Sequence, residues 1–265
     1  MGHLRIGIVG TGAMGLALAE AFAREEYKLA LCDRDLSAAQ NAAKRLGATA
    51  FGSVEELAAS CDVVVLCVKP GDMSVVCTEL HGASVLLISV AAGVTLDSLS
   101  RWAQSARVVR AMPNTPARIG MGMTAITALD GVSAEDLATA AELLRCAGEV
   151  VQVDESQMHA VTALSGSGPA FAIAYAEAMI AAGVGLGLPA EVAETLVLKT
   201  MSGTLAWVAS SRLAPLCELR QQVTSKGGTT AAGLHVMQQL GFDSLVSQTV
   251  QAASDRSVAM ADAFR

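Results

Sequence analysis

Apolar and polar positions follow two different rhythms along this chain, and the change of rhythm divides it. Through residue 153, short apolar runs alternate with stretches whose apolar residues recur every three or four positions. That order predicts βαβ units built around a parallel sheet. Strands are expected at 4–9, 28–32, 62–68, 85–90, 107–111, about 124–126 and 149–153. The run 62–68 is apolar throughout rather than alternating, as in a strand covered on both faces. Helices are expected at 13–24, 36–46, 55–59 and 134–146, the first with Leu16, Ala17, Ala19 and Phe22 on its apolar side. After residue 153 the two-residue period vanishes. Helices are then expected at 169–182, 190–211, 216–222, 229–240 and 244–263, with Pro169 and Pro189 as openers. The pattern implies two domains, 1–153 and 154–265, the first α/β and the second all-α.

Composition narrows the functional classes. The 265 residues can bury a sizeable core without staples. With 52% hydrophobic residues and a mean hydropathy of +0.47, the chain needs a membrane check. No span is expected, because the apolar run after Pro169 is interrupted by Glu177 and runs into Gly183, Gly185, Gly187 and Pro189. The surplus apolar surface is expected in a subunit interface instead. A net charge of −7 and few aromatic residues argue against a nucleic-acid partner. The six cysteines form no CxxC pair and the four histidines are scattered, so no metal site is expected. Free thiols and a strand starting at Leu4, with no leader pattern before it, point to the cytoplasm.

The chemistry is concentrated at strand ends. Gly10-Thr11-Gly12-Ala13-Met14-Gly15 matches G-x-G-x-x-G between a strand and a helix, the context of a Rossmann-type dinucleotide fold. The helix start would face a pyrophosphate. At the end of the second strand, Asp33 would favour NAD through the ribose 2′-hydroxyl, while Arg34 would favour NADP through a 2′-phosphate. Asp33 could instead cap the helix that follows. Val68-Lys69-Pro70, Ala91-Ala92-Gly93 and the Asn114 turn end three further strands, so all are candidates for one cofactor rim.

The helical half offers less obvious chemistry. Glu155 and His159 have helical spacing and form either an acid/base pair or an ordinary surface pair. Residues 163–171, ALSGSGPAF, read as a small-residue hinge into a long helix. In residues 223–234, VTSKGGTTAAGL, two glycines and a helix start near Thr229 would make either an anion pocket or a well-capped turn.

Taken in order, the GxGxMG loop, VKP, AAGVT, MPNTP, SGSGPA and TSKGGTTAAGL resemble pyrroline-5-carboxylate reductases across nearly the whole chain. The resemblance implies reduction of the cyclic imine 1-pyrroline-5-carboxylate to L-proline, usually with NADPH, NADH being possible. It implies a homodimer through the helical domain, often assembled further. It assigns the substrate carboxylate and ring nitrogen to Ser225, Gly227, Gly228, Thr229 and Thr230, with Glu155 near the substrate. Lys69, Ala91, Ala92, Gly93 and Asn114 map to the cofactor side. Thr230 is the candidate for orienting the imine nitrogen and relaying its proton. Two departures stand out: Lys226 where many members have Pro, and Asp33 where many have Asn or Ser. A β-hydroxyacid dehydrogenase would require a basic lysine on the central helix, and residues 168–182 hold none. A non-catalytic dinucleotide sensor would not need the hydroxyl-rich loop.

Overall fold

A computed structural model of the chain describes residues 4–211 and 214–264, so His3 lies outside the described residues. The chain separates into two compact units. The first runs up to Pro169 and takes back the residues from Gln251 onward; the second is Ala170–Val250.

The first unit is built on eight strands: β1 (Arg5–Val9), β2 (Lys28–Cys32), β3 (Thr49–Ala50), β4 (Val63–Leu66), β5 (Leu86–Ser89), β6 (Val108–Met112), β7 (Gly122–Ala128) and β8 (Gly148–Gln152). Six helices are interleaved: α1 (Ala13–Arg24), α2 (Leu36–Leu46), α3 (Val54–Ala59), α4 (Met73–Glu79), α5 (Leu96–Ala103) and α6 (Ala134–Arg145). The sheet order is β3-β2-β1-β4-β5-β6-β7-β8. Because strand side chains alternate, Val63 and Val65 enter one hydrophobic layer while Val64 and Leu66 enter the other. The continuous apolar run reflects that double burial.

One pairing departs from the expected parallel sheet. β7 runs antiparallel to β6, with Val109 opposite Ala128 and Met112 opposite Ala125. The link between them is one tight 3-10 turn, Thr115–Ile119, and a parallel return needs a crossover of a dozen or more residues. The helices α4 and α5 and the two-residue β3 add to the elements expected from the sequence. α5 buries Leu96, Leu99 and Ala103 on one face, a periodic signal confined to two turns.

The helical part begins with a 3-10 turn at Glu155–Gln157 and continues through α7 (Met158–Val161), a π-helical turn at Thr162–Gly166 and α8 (Gly168–Gly185). α9 (Ala190–Ser210), α10 (Leu216–Gln222), α11 (Thr229–Gln239) and α12 (Phe242–Asp262) follow. The π turn does not interrupt the helical path, so Glu155–Gly185 is one helical stretch of 31 residues. By length and composition this stretch could cross a membrane, which corrects the expectation that Glu177 and the glycines break the run too early. Among the described residues, the second unit buries only Ala176, Ala193 and Leu219 as apolar core, whereas Ile173, Leu196, Leu198, Leu205 and Leu245 stay exposed.

Candidate functional site

Both halves of the sheet send their chain ends to the same edge. β1, β2, β4, β5 and β6 are parallel neighbours, so the segments after their last residues share one rim. β1 lies between β2 and β4, where the strand order reverses; ligands of open α/β sheets bind at such a switch point. Residues 10–15 lie there.

The glycine turn is tightly specified. Gly10 has φ +96°, and its N–H donates to the Cys32 carbonyl at 2.8 Å. A Cβ on Gly15 would lie 1.9 Å from the Gly10 carbonyl oxygen, so only glycine lets α1 start this close to β1. Gly12 is different: a Cβ there meets nothing within 4 Å, and Gly12 caps α1 with no side-chain hydrogen bond. The first turn, with Ala13 and Met14, therefore presents unpaired N–H groups and the positive end of the helix dipole to an open surface. That cradle fits a pyrophosphate. Beside the turn, burial pushes the Cys67 thiol up to about 12, so it stays a neutral packing group.

Asp33 is committed to the turn. Its Oδ2 accepts from the Thr11 N–H at 2.6 Å and from the Thr11 hydroxyl at 2.9 Å, and its Oδ1 accepts from the Asp35 N–H at 3.0 Å. The cap of α2 is Asp35, whose Oδ1 accepts from Ser37 N–H at 3.0 Å. Partial burial opposes ionisation of Asp33, but the Thr11 and Asp35 hydrogen bonds win and hold its carboxyl below the ordinary range. A fixed anion thus stands at the end of β2. The Arg34 side chain is 81% exposed and lies 3.9 Å from Asp72.

The other strand ends are ordered by their own contacts. Val68 packs against the core, Lys69 is exposed, and Pro70 opens a short 3-10 turn. Ala91 donates its N–H to the Ser89 hydroxyl at 3.4 Å, and Ala92 is half-buried. Gly93 has φ +76° and sits against Met260 near the end of α12. Asn114 accepts from the Met123 N–H at 2.9 Å and donates to the Ser165 hydroxyl at 3.3 Å. The SGSGPA motif gains a structural meaning here: its Ser165 holds Asn114, and Gly166 leaves room for the Met112 side chain.

Glu155 and His159 each hydrogen-bond a residue far along the chain. Glu155 Oε1 accepts from Arg110 Nη1 at 2.5 Å and from the Leu96 N–H at 3.2 Å. His159 Nδ1 bonds the Ser257 hydroxyl at 2.9 Å. Arg110 was not a candidate in the sequence reading. Its signal was a lone arginine inside the apolar strand VVRAM, where a long charged side chain needs a buried partner.

In the second unit, residues 224–230 form a compact turn. Thr224 donates its hydroxyl to the Arg220 carbonyl at 2.7 Å, and the Gly228 N–H donates to the Ser225 carbonyl at 3.1 Å. Gly227 has φ +74°. A Cβ on Gly228 would sit 2.3 Å from Ser225 Oγ. Gly228 is the N-cap of α11 and makes no side-chain cap, so the Thr229 and Thr230 amides open the helix at an exposed surface. Ser225, Thr229 and Thr230 bring three hydroxyls to that helix start, and Lys226 is exposed beside them.

Comparison with known proteins covers both units. Residues 155–260 match a family model described as pyrroline-5-carboxylate reductase dimerisation, and residues 5–93 match one described as NADP oxidoreductase, coenzyme F420-dependent. A pyrroline-5-carboxylate reductase of Pseudomonas aeruginosa is 40% identical over 97% of this chain and 97% of its own. The solved pyrroline carboxylate reductase of Plasmodium falciparum, with NADP bound, superposes with a TM-score of 0.88 at 32% identity over 98% of this chain and 99% of its own. That of Coxiella burnetii gives 0.89 at 32% identity over 97% and 98%. With the glycine cradle, the strand-end rim and the GGTT helix start all inside regions aligned end to end, this chain belongs to the pyrroline-5-carboxylate reductase family.

Proposed function

We infer that the chain reduces the cyclic imine 1-pyrroline-5-carboxylate to L-proline with NAD(P)H. The observation that carries this reading is that relatives of that name match almost the whole chain, through both the nucleotide rim and the hydroxyl-rich loop. NADPH, when bound, supplies the hydride from its nicotinamide C4 to the imine carbon.

The chain's own residues hold the two reactants. The open first turn of α1, from Gly12 to Met14, takes the pyrophosphate, with Gly10 and Gly15 fixing the turn. The segments at 68–70, 91–93 and 114 line the nicotinamide side. The amides of Thr229 and Thr230 and the Ser225 hydroxyl bind the substrate carboxylate at the start of α11. Gly228 serves by shape, because its N–H is already used in closing the turn. The Thr230 hydroxyl orients the ring nitrogen. A protonated imine is electrophilic without a further acid, so positioning is the main demand on the protein.

The exposed apolar helices of the second unit support a homodimer through this half, and higher assembly on the same basis. The long stretch Glu155–Gly185 is then covered by a partner rather than by lipid. Six free cysteines agree with a reducing cytoplasm.

The test is Thr230→Ala. Loss of one polar contact, worth roughly 1–3 kcal/mol, lowers kcat/KM by roughly 10–100-fold. The assay is cofactor oxidation with pyrroline-5-carboxylate at saturating NADPH. An unchanged kcat/KM removes Thr230 from the mechanism; no turnover by the wild-type protein removes the function.

A further inference from the structure

We propose that the pair formed by buried Arg110 and half-buried Glu155 is a positioning device for the hydride-transfer end of the cofactor rim. The proposal rests on the assignment of 91–93 and Asn114 to the nicotinamide side.

Arg110 lies within β6 and its side chain is only 1% exposed. Glu155 starts the helical part of the chain and reaches it from the far side of β8 in sequence. One oxygen, Oε1, takes both the Arg110 Nη1–H and the Leu96 N–H. Arg110 Nη2 and Glu155 Oε2 are buried with no partner among the described residues. An arginine and a carboxylate that met for strength would form the two-bonded fork. This pair gives up that fork and leaves two buried polar atoms unsatisfied, which is costly. Taking the Arg110 charge out of water carries a desolvation penalty that one bond to a half-buried carboxylate offsets only in part. Stability therefore does not account for it.

What the geometry does secure is a three-way junction. Leu96 begins α5, directly after the 91–95 segment that ends β5. Arg110 precedes Met112 and Asn114 on the neighbouring strand end. Holding both through one oxygen of Glu155 fixes the two strand ends relative to each other. The same segment is held from another direction. Thr95 caps α5 at the Ser98 N–H and donates its hydroxyl to Ser98 Oγ, which donates to the Phe264 carbonyl at 3.0 Å. Gly93 is packed against Met260. Reaction rates fall steeply when a reacting atom is displaced by an ångström, so a junction at this point acts on the chemical step.

The experiment uses the Arg110→Met/Glu155→Leu double variant of the full-length protein, with Glu155→Gln beside it. Thermal melting, NADPH affinity by fluorescence titration, and single-turnover hydride transfer with NADPH deuterated at the transferred position are measured. The double variant is expected to melt at or above the wild-type temperature and to bind NADPH within threefold. Its hydride-transfer rate should fall 10–100-fold, with a larger isotope effect on kcat. Glu155→Gln keeps an acceptor for Leu96 but loses its charge toward Arg110, and its rate should fall by about two- to tenfold. A folded double variant with the wild-type transfer rate overturns the proposal. If the double variant does not fold, a Glu155→Gln protein that loses stability with no change in transfer rate overturns it too. Failure of the functional reading looks different, since the wild-type protein would then bind NADPH and show no transfer.

Discussion

Replacing Asp33 with Asn changes one atom and tests two roles of that residue at once. The carboxylate takes three hydrogen bonds, two from Thr11 at 2.6 and 2.9 Å and one from Asp35 at 3.0 Å. An amide keeps one acceptor oxygen. In either orientation its NH2 faces a backbone N–H, so one donor loses its partner, and the remaining bonds lose their charge. Bonds to charged groups contribute roughly 1.5–3 kcal/mol against roughly 0.5–1.5 for neutral ones. Partial exposure takes the net loss to about 1–2 kcal/mol. For a protein of this size that lowers Tm by roughly 2–8 °C. The pH dependence has a definite sign. The folded Asp33 carboxyl sits below its ordinary value, so its stabilisation is complete above the unfolded value of about 3.9 and is lost as pH falls through the folded one. The gap between wild type and Asp33→Asn should be full at pH 7 and close below about pH 4. On the proposed cofactor assignment, the same substitution removes an anion beside the ribose. Repulsion between unit charges near a protein surface is on the order of 1–3 kcal/mol, so the NADPH/NADH ratio of kcat/KM should rise by roughly 5–100-fold. Melting curves from pH 3 to 8 and paired cofactor assays check both parts. A gap that persists unchanged at pH 3 refutes the charge argument, and an unmoved cofactor ratio refutes the placement of Asp33 at the ribose.

Three further substitutions test other contacts. Gly93→Ala puts a Cβ at φ +76° and 2.9 Å from Met260 Cβ; it should cost about 2 kcal/mol in urea unfolding and weaken NADPH binding. Gly166→Ala crowds the Met112 methyl, at 2.5 Å, a flexible end that can move, and its other neighbours lie at 3.9 Å; the loss should stay under about 1.5 kcal/mol in the same urea experiment, against more for Gly93→Ala. Arg107→Met breaks a two-bonded pair with Asp136 at 2.7 and 2.9 Å and a bond to the Ser84 carbonyl. The pair is partly exposed, so about 1 kcal/mol is expected by thermal melting. Because hydrogen bonding from Arg107 holds the Asp136 carboxyl below its ordinary range, that loss should be present at pH 7 and shrink as the carboxyl protonates in acid.

Much of the first unit was legible because buried parallel strands leave long apolar runs and G-x-G-x-x-G marks a strand-to-helix turn. The reversal between β6 and β7 was not, since no side-chain pattern separates a direct return from a crossover; only the short link does. α4 and α5, helices of seven and eight residues, were not expected from the sequence, although α3 and α10 of similar length were. The position of Asp33 was readable and its partner was not: Thr11 lies 22 residues away, and only the parallel pairing of β1 and β2 brings them together. Glu155 was paired with His159 by helical spacing, whereas the fold gives each a partner far along the chain, Arg110 and Ser257. In the GGTT turn the residue types were plain from sequence. That Gly228 spends its amide on closing the turn was not.

The second unit's sparse interior makes concentration a thermodynamic variable for this protein. A set of helices whose own apolar core among the described residues is Ala176, Ala193 and Leu219 leaves much apolar surface for a partner to cover. For a dimer held together that way, each tenfold dilution removes about 1.4 kcal/mol from the assembled state. Melting temperatures and specific activities measured at nanomolar and micromolar enzyme would then describe different populations of molecules.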